Sequence, residues 1–376
     1  MAMISHVRLV YALASVAALM SLPYPSSAQG FSFDPPGPFK FSVPADTFAA
    51  PHPVLVNIGD TSTQPFPFKY VGVQLVAGTA DFVVVSPSSG TAPGVNVGIS
   101  INPNVAAYLP PGGYSEYVLF APLGQTSPQA DVAVQVILTV LPPPPPVVTS
   151  IVNSASLQPS ISPGALVSIF GANLGTPPIT AQYNDSGLYP TTLGNTTVTF
   201  NGTVAALLYV STTQINAVVP YEVAGQKTVS VIVTHDSVAS PAFSVPLMDT
   251  SPAIFTILND DPNANPTNSA DQPAAEGSLI SIYATGGGLL SQPVQDGSIA
   301  LLFAEPPYAS LAAPLSVTIG GQPARISYAG VAPFEVNGML QVNAVVPTGI
   351  GSGPQPVVLT IGANNNASQQ VMVAVK

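Results

Sequence analysis

The chain has no cysteine and no tryptophan, and only 6% of its 376 residues are charged. Without cysteine there is no disulfide framework, no thiolate metal site and no lipid anchor on a cysteine, so stability must come from hydrophobic cores. Four Lys and two Arg cannot assemble a basic stripe, and the net charge of −11 opposes polyanions, which excludes nucleic acid as a partner and argues against anionic membrane surfaces. Only three His are present, and one of them, His6, precedes the apolar leader. What the chain does have is apolar residues (47%), 43 Pro and 31 Gly. High hydrophobicity with few charges is the opposite of a disordered composition. Pro and Gly scattered between short apolar runs read as strands joined by turns.

Residues 1–28 read as an export signal. Arg8 supplies the positive end, "LVYALASVAALMSL" (9–22) is the apolar stretch, and "SSA" (26–28) precedes a cut at Ala28–Gln29. A membrane anchor needs about 20 apolar residues, and Pro23 and Pro25 interrupt this stretch. Every later apolar run is broken by Gly, Pro, Asn or Thr. The expectation is a secreted, cell-surface or periplasmic protein with no membrane insertion after cleavage.

"LPPPPPVV" (141–148) marks a boundary, because consecutive prolines favour a semi-rigid polyproline II spacer. The expected linker is 142–148. Before it, 31–141 carries valine-, isoleucine- and aromatic-rich runs: "DFVVVS" (81–86), "VNVGISIN" (95–102), "EYVLFAP" (116–122) and "VAVQVILTVL" (132–141). Much of this alternates with period two, and turn-forming stretches at 86–94 and 109–115 separate the runs, the pattern of a β-sandwich. The stretch 85–120, "VSPSSGTAPGVNVGISINPNVAAYLPPGGYSEYVLF", resembles BACON-type immunoglobulin-like domains, a family that the resemblance associates with carbohydrate or mucin binding.

After the linker the chain repeats itself. "PGALVSIFGANLG" (163–175) matches "EGSLISIYATGGG" (276–288). Residues 196–220 match 315–347, each ending in a near-identical heptapeptide, "QINAVVP" (214–220) and "QVNAVVP" (341–347). "KTVSVIVT" (227–234) then matches "QPVVLTIG" (355–362). Three blocks in one order make a repeated fold, with an insertion at "VAPFEVNGM" (331–339) in the second copy. Alternation turns Ile215, Ala217 and Val219 to one face, and Val342, Ala344 and Val346 likewise; Gln214, Asn216 and Val218 take the other face. The outward Gln214/Asn216 and Gln341/Asn343 pairs are expected to hydrogen-bond a neighbouring loop of their own repeat. On "SIVNSASLQPSISPGALVSIFGANLG" (150–175), "LYPTTLGNTTVTFNG" (188–202), "LLYVSTTQINAVVPYEV" (207–223) and "SPAIFT" (251–256), this part resembles an uncharacterised Solibacter-type C-terminal domain family. "GALVSIFGANLG" is also similar to the opening strand of IPT/TIG domains. The resemblance implies secreted, modular all-β proteins and brings no catalytic residues. The fold expected is all-β: three tandem immunoglobulin-like β-sandwich modules after a signal peptide, at 31–141, 149–248 and 249–376.

Chemistry is sparse. A Ser or Thr nucleophile needs a base; only His52 and His235 are available after the leader, and His235 in "THDS" (234–237) reads as a solvated turn residue. "NDDPNANPTNSADQ" (259–272) places Asp261, Asn263 and Asn265 at calcium-loop spacing, but Pro266 and Gln272 stand where such a loop needs Gly and Glu. Calcium is the one cofactor the pattern admits. "TGGGLL" (285–290) lacks the Lys-Ser/Thr ending of a phosphate loop. Tyr108, Tyr114 and Tyr117 flank a Pro/Gly turn and could form a stacking platform. The long loop 258–275 and the insertion 331–339, with Phe334 and Asn337, are the remaining binding candidates. The expected function is a non-enzymatic exported protein for adhesion, surface structure, or binding of an extracellular glycan or surface protein. The alternative is a polysaccharide-degrading hydrolase, or an accessory module of one, which requires a carboxylate pair in a cleft.

Overall fold

The structure is a computed structural model that describes residues 31–45, 51–60, 65–75, 81–123, 132–260, 265–300 and 309–376. It divides into two compact units, Met1–Pro143 and Pro144–Lys376, and the break falls within the proline run. Strands dominate both. Helix among the described residues is limited to single turns, at Pro103–Ala106 and Tyr221–Val223. No helix among them is long and apolar enough to cross a membrane.

The first unit is an immunoglobulin-like sandwich. One sheet holds Phe31–Asp34, Val54–Asp60, Val95–Ile101 and Val83–Ser86; the other holds Phe39–Pro44, Val132–Leu141, Gly112–Pro122, Phe66–Leu75 and Ser89–Ala92. Phe39–Pro44 runs parallel to Val132–Leu141. The alternation does what it should: Val132, Val134, Val136, Leu138 and Val140 are buried while the residues between them are not. Phe68 and Phe120 meet edge to face in the core, 6.1 Å apart. The stretch 86–94 is more than a turn. Ser89–Ala92 pairs with Phe66–Leu75, so the chain changes sheets there.

The second unit contains the repeat, and its two copies agree down to strand irregularities. In the first, one sheet runs Val147–Asn153, Leu166–Ala172, Gln214–Val218, Ala206–Val210, Ile179–Thr180; in the second, Ala253–Asn259, Leu279–Thr285, Leu340–Val345, Arg325–Val331. The facing sheets are built on Thr196–Phe200 with Thr228–His235, and on Leu315–Ile319 with Gly353–Ile361. Bulges recur at matching places, Val148/Ser150 with Ile254/Thr256 and Leu207/Tyr209 with Ile326/Tyr328. Asn201-Gly202 and Gly320-Gly321, all at positive φ, close matching two-residue hairpins, the conformation that such turns require. Ile215, Ala217 and Val219, and Val342, Ala344 and Val346, are all fully buried, each trio within its own core.

Candidate functional site at the seam of the repeats

The Asn and Gln of the twin heptapeptides do not reach a loop. Gln214 Nε2 donates to Asn216 Oδ1 at 2.8 Å, and Ser168 Oγ donates to the same oxygen at 3.1 Å. Gln341, Asn343 and Ser281 repeat this at 2.8 and 3.0 Å. The Ser lies directly across the strand pair from the Asn in both copies. Two hydrogen bonds focused on one half-buried amide oxygen form a cross-strand clip, a structural feature rather than a ligand contact. The signal was in the sequence: Ser168 and Ser281 occupy the same place in the matching blocks 163–175 and 276–288.

The inserted segment 331–339 seats one repeat on the other. A three-stranded ribbon forms from 187–189, 297–300 and 334–337. Tyr189 N donates to Gly297 O, Ile299 N to Gly187 O, Ala300 N to Glu335 O, and Asn337 N to Ser298 O, all at 2.8–2.9 Å. Val336 is buried against Leu166, Ala206 and Val218. Val218 stays on the outward face that alternation assigns it and is buried there because the second repeat covers that face. Thr285 Oγ1 accepts from Leu166 N (2.9 Å) and donates to Gly338 O (2.8 Å), fully buried between the copies. Gly338 sits at φ 138 with its Cα against Gly164 O, where any Cβ would collide.

The candidate residues separate accordingly. Asn337 is 5% exposed and its amide donates to Ser298 Oγ at 2.6 Å, so its polar capacity is used in the seam. Phe334 points outward, 53% exposed, at φ 64. Tyr108 is 78% exposed. Tyr114 packs on the core and donates to Pro110 O at 2.6 Å. Tyr114 and Tyr117 lie three apart on one strand, hence on opposite faces, and the trio does not form one platform. Asp261 and Asn263 lie outside the described residues; Asn265 is an exposed residue at φ 38. Among the described residues no three His, Cys, Asp or Glu gather as a metal site.

Two arrangements resemble catalytic groups. His235 is not a free turn residue. Its Nδ1 is hydrogen-bonded to Thr196 Oγ1 at 3.0 Å, and its Nε2 lies 3.2 Å from Asp236 Oδ2. Thr196 is fully buried, however, which removes it from any substrate, so the trio pins a sheet corner. Across the seam, Asp296 Oδ1 accepts from Tyr221 N at 3.2 Å. Burial, then a hydrogen bond with the Glu222 carboxyl, pushes Asp296 up to about 7. Carboxyls in hydrogen-bond contact leave no room for a sugar and a water between them, which glycoside hydrolysis needs. In the first unit, burial pushes Glu116 up to about 7, although Phe82 N donates to its Oε1 at 3.3 Å. Its Oε2 is buried with no hydrogen-bond partner among the described residues.

The IPT/TIG domain family matches residues 146–245, the first copy of the repeat. No curated protein matches the chain. Among solved structures, a protein of unknown function from Porphyromonas gingivalis W83 is 11% identical over 58% of this chain and 98% of its own, with a TM-score of 0.24. The E. coli chaperone DraB is 14% identical over 58% and 98%, with a TM-score of 0.22. A surface glycan-binding protein from Prevotella bryantii is 12% identical over 61% and 41%, with a TM-score of 0.20. Superpositions this loose carry no conclusion about function.

Proposed function

We propose that the chain is an exported, non-catalytic β-sandwich protein that works by binding, in adhesion, surface structure, or recognition of an extracellular glycan or protein. The observation that carries this reading is how two apolar side chains are displayed. Of the nine described non-glycine residues at positive φ, six are Asn or Asp, which tolerate it. Leu157 (φ 57, 61% exposed) and Phe334 (φ 64, 53% exposed) are bulky, strained and solvent-facing. Strain maintained to expose an apolar group, on loops held by a rigid seam, suits a contact surface. The leader at 1–28 supports export, and the BACON-like and Solibacter-type resemblances support a modular surface protein. The non-catalytic reading draws support from the buried Thr196 and from the close contact of Asp296 with Glu222. A calcium ion at Asp261, Asn263 and Asn265 belongs to the same proposal.

The test is a glycan and surface-polymer array probed with the exported chain, with and without calcium. Saturable binding is expected. Release of reducing ends from any polysaccharide would replace this reading with the hydrolase, and an empty array would leave a structural role only.

A further inference from the structure

A pocket of about 360 Å³ opens where the two repeats join, on loops apart from the inserted segment. Its walls come from both copies and from the connection between them: Ser156, Gln158 and Ser160 from the first, Met248, Thr250, Ser251 and Pro252 from the connection, and 366–369 from the second. No lining residue is charged.

The pocket is preorganised. Asn153, 1% exposed, organises the first wall: its Oδ1 accepts from Ala155 N at 2.9 Å, its backbone carbonyl accepts from Leu157 N at 2.9 Å, and its Nδ2 donates to Ser251 O of the connection at 2.9 Å. Ser251 Oγ donates to Ser162 Oγ at 3.0 Å. Asn366 Nδ2 donates to both Thr250 O and Thr250 Oγ1 at 2.9 Å, which fixes the opposite wall. Against this fixed frame, the Gln158 amide and the Ser160 hydroxyl make no side-chain hydrogen bond among the described residues, and Ser156 Oγ only accepts, from Gln158 N at 3.3 Å. Met248, 43% exposed, and Ala367 add apolar surface to the lining.

We infer that this pocket binds one or two rings of a neutral sugar. Hydroxyls and side-chain amides both donate and accept, as sugar hydroxyls do, so each ring hydroxyl can be matched in either sense. Met248 and Ala367 offer an apolar surface to the C–H face of a ring. The volume is within the range of small-ligand sites. An uncharged lining gives no attraction for uronates or sulfated sugars and no means of compensating their buried charge. This deepens the binding reading above and depends on it.

The experiment is saturation-transfer NMR followed by calorimetry on the full chain. The probes are cellotriose, maltotriose, mannotriose and chitotriose, with trigalacturonate and an uncharged pentapeptide library as contrasts. At least one neutral trisaccharide should bind with an affinity that does not change between 50 mM and 500 mM salt. Gln158→Ala/Ser160→Ala should weaken it at least tenfold with an unchanged melting temperature, and Leu55→Ala, an exposed position in the first unit, should leave it intact. Neutral-sugar binding untouched by the double variant, or lost with Phe334→Ala, would overturn the pocket while sparing the binding function. Binding only of trigalacturonate or of peptides, or of no probe, would overturn the sugar assignment; peptide binding would preserve recognition of a protein partner.

Discussion

The two copies of the repeat differ most where they are most alike. In the first, Leu166, Val218 and Ala206 are adjacent across three strands and buried under Val336 of the second copy. The matching residues of the second copy are Leu279, Val345 and Arg325, with the same adjacency, and Arg325 is exposed. Two of three residue types are conserved between copies, so the patch is decided by the third. A small Ala lets the ribbon close over the first copy, whereas an Arg at the same place keeps the second copy's face in water. The repeated strand is one element in two environments, and the inserted segment makes the difference.

Swapping that third residue should break the contrast outright. Ala206→Arg buries an unpaired charge under Val336 and against Gly297, at a cost of about 3 kcal/mol or more. Scanning calorimetry should then resolve two transitions in Pro144–Lys376 in place of one; a single unshifted transition would refute the seam's importance. The clips should behave alike in the two copies. Asn216→Ala strands Gln214, Ser168 keeping its bond to Ser154 Oγ at 2.9 Å, and Asn343→Ala strands Gln341 and Ser281; each should lower stability by about 1–2 kcal/mol in urea titrations. Unchanged stability with lost ligand binding would instead make the pairs contacts.

The acid pair sharpens the comparison through pH. Asp296 in the fold holds its proton up to about 7, well above its ordinary 3.8, with Glu222 and the Tyr221 amide facing it across the seam. A raised folded value means that the stabilisation is complete below about pH 4 and is lost as pH rises through 7. The second unit's melting temperature should fall between pH 5 and 8.5 by the equivalent of about 1–2 kcal/mol, discounted for partial exposure, and Asp296→Asn should flatten that fall. Glu116 has the same sign, so Glu116→Gln should flatten the pH dependence of the first unit alone. The smallest effect is expected at Leu157. Leu157→Gly removes strain of about 1–2 kcal/mol but adds about 0.4–1 kcal/mol of unfolded-state freedom. A net gain of about 0.5 kcal/mol in thermal unfolding would mark a residue retained for display.

Much of the fold was legible because it depends on local rules. Period-two alternation located the inward trio of each heptapeptide, and three matching blocks in one order located the duplicated strands, since both signals lie in spacing along the chain. The site residues were less legible. Asn337 reads as a polar loop residue until the ribbon buries it. His235 reads as a turn residue until Thr196, 39 positions earlier, is brought alongside it. The Tyr trio fails on a rule the sequence contained, because an odd spacing along a strand puts side chains on opposite faces.

By itself, then, the sequence determined the all-β immunoglobulin-like class, the duplicated strand order and the inward residues of each copy, all of which follow from backbone periodicity and turn stereochemistry. Only the tertiary structure decided which outward face is covered, which carboxyls meet and where a neutral pocket opens. Those outcomes depend on surfaces brought together from residues far apart along the chain, for which no periodicity carries a signal.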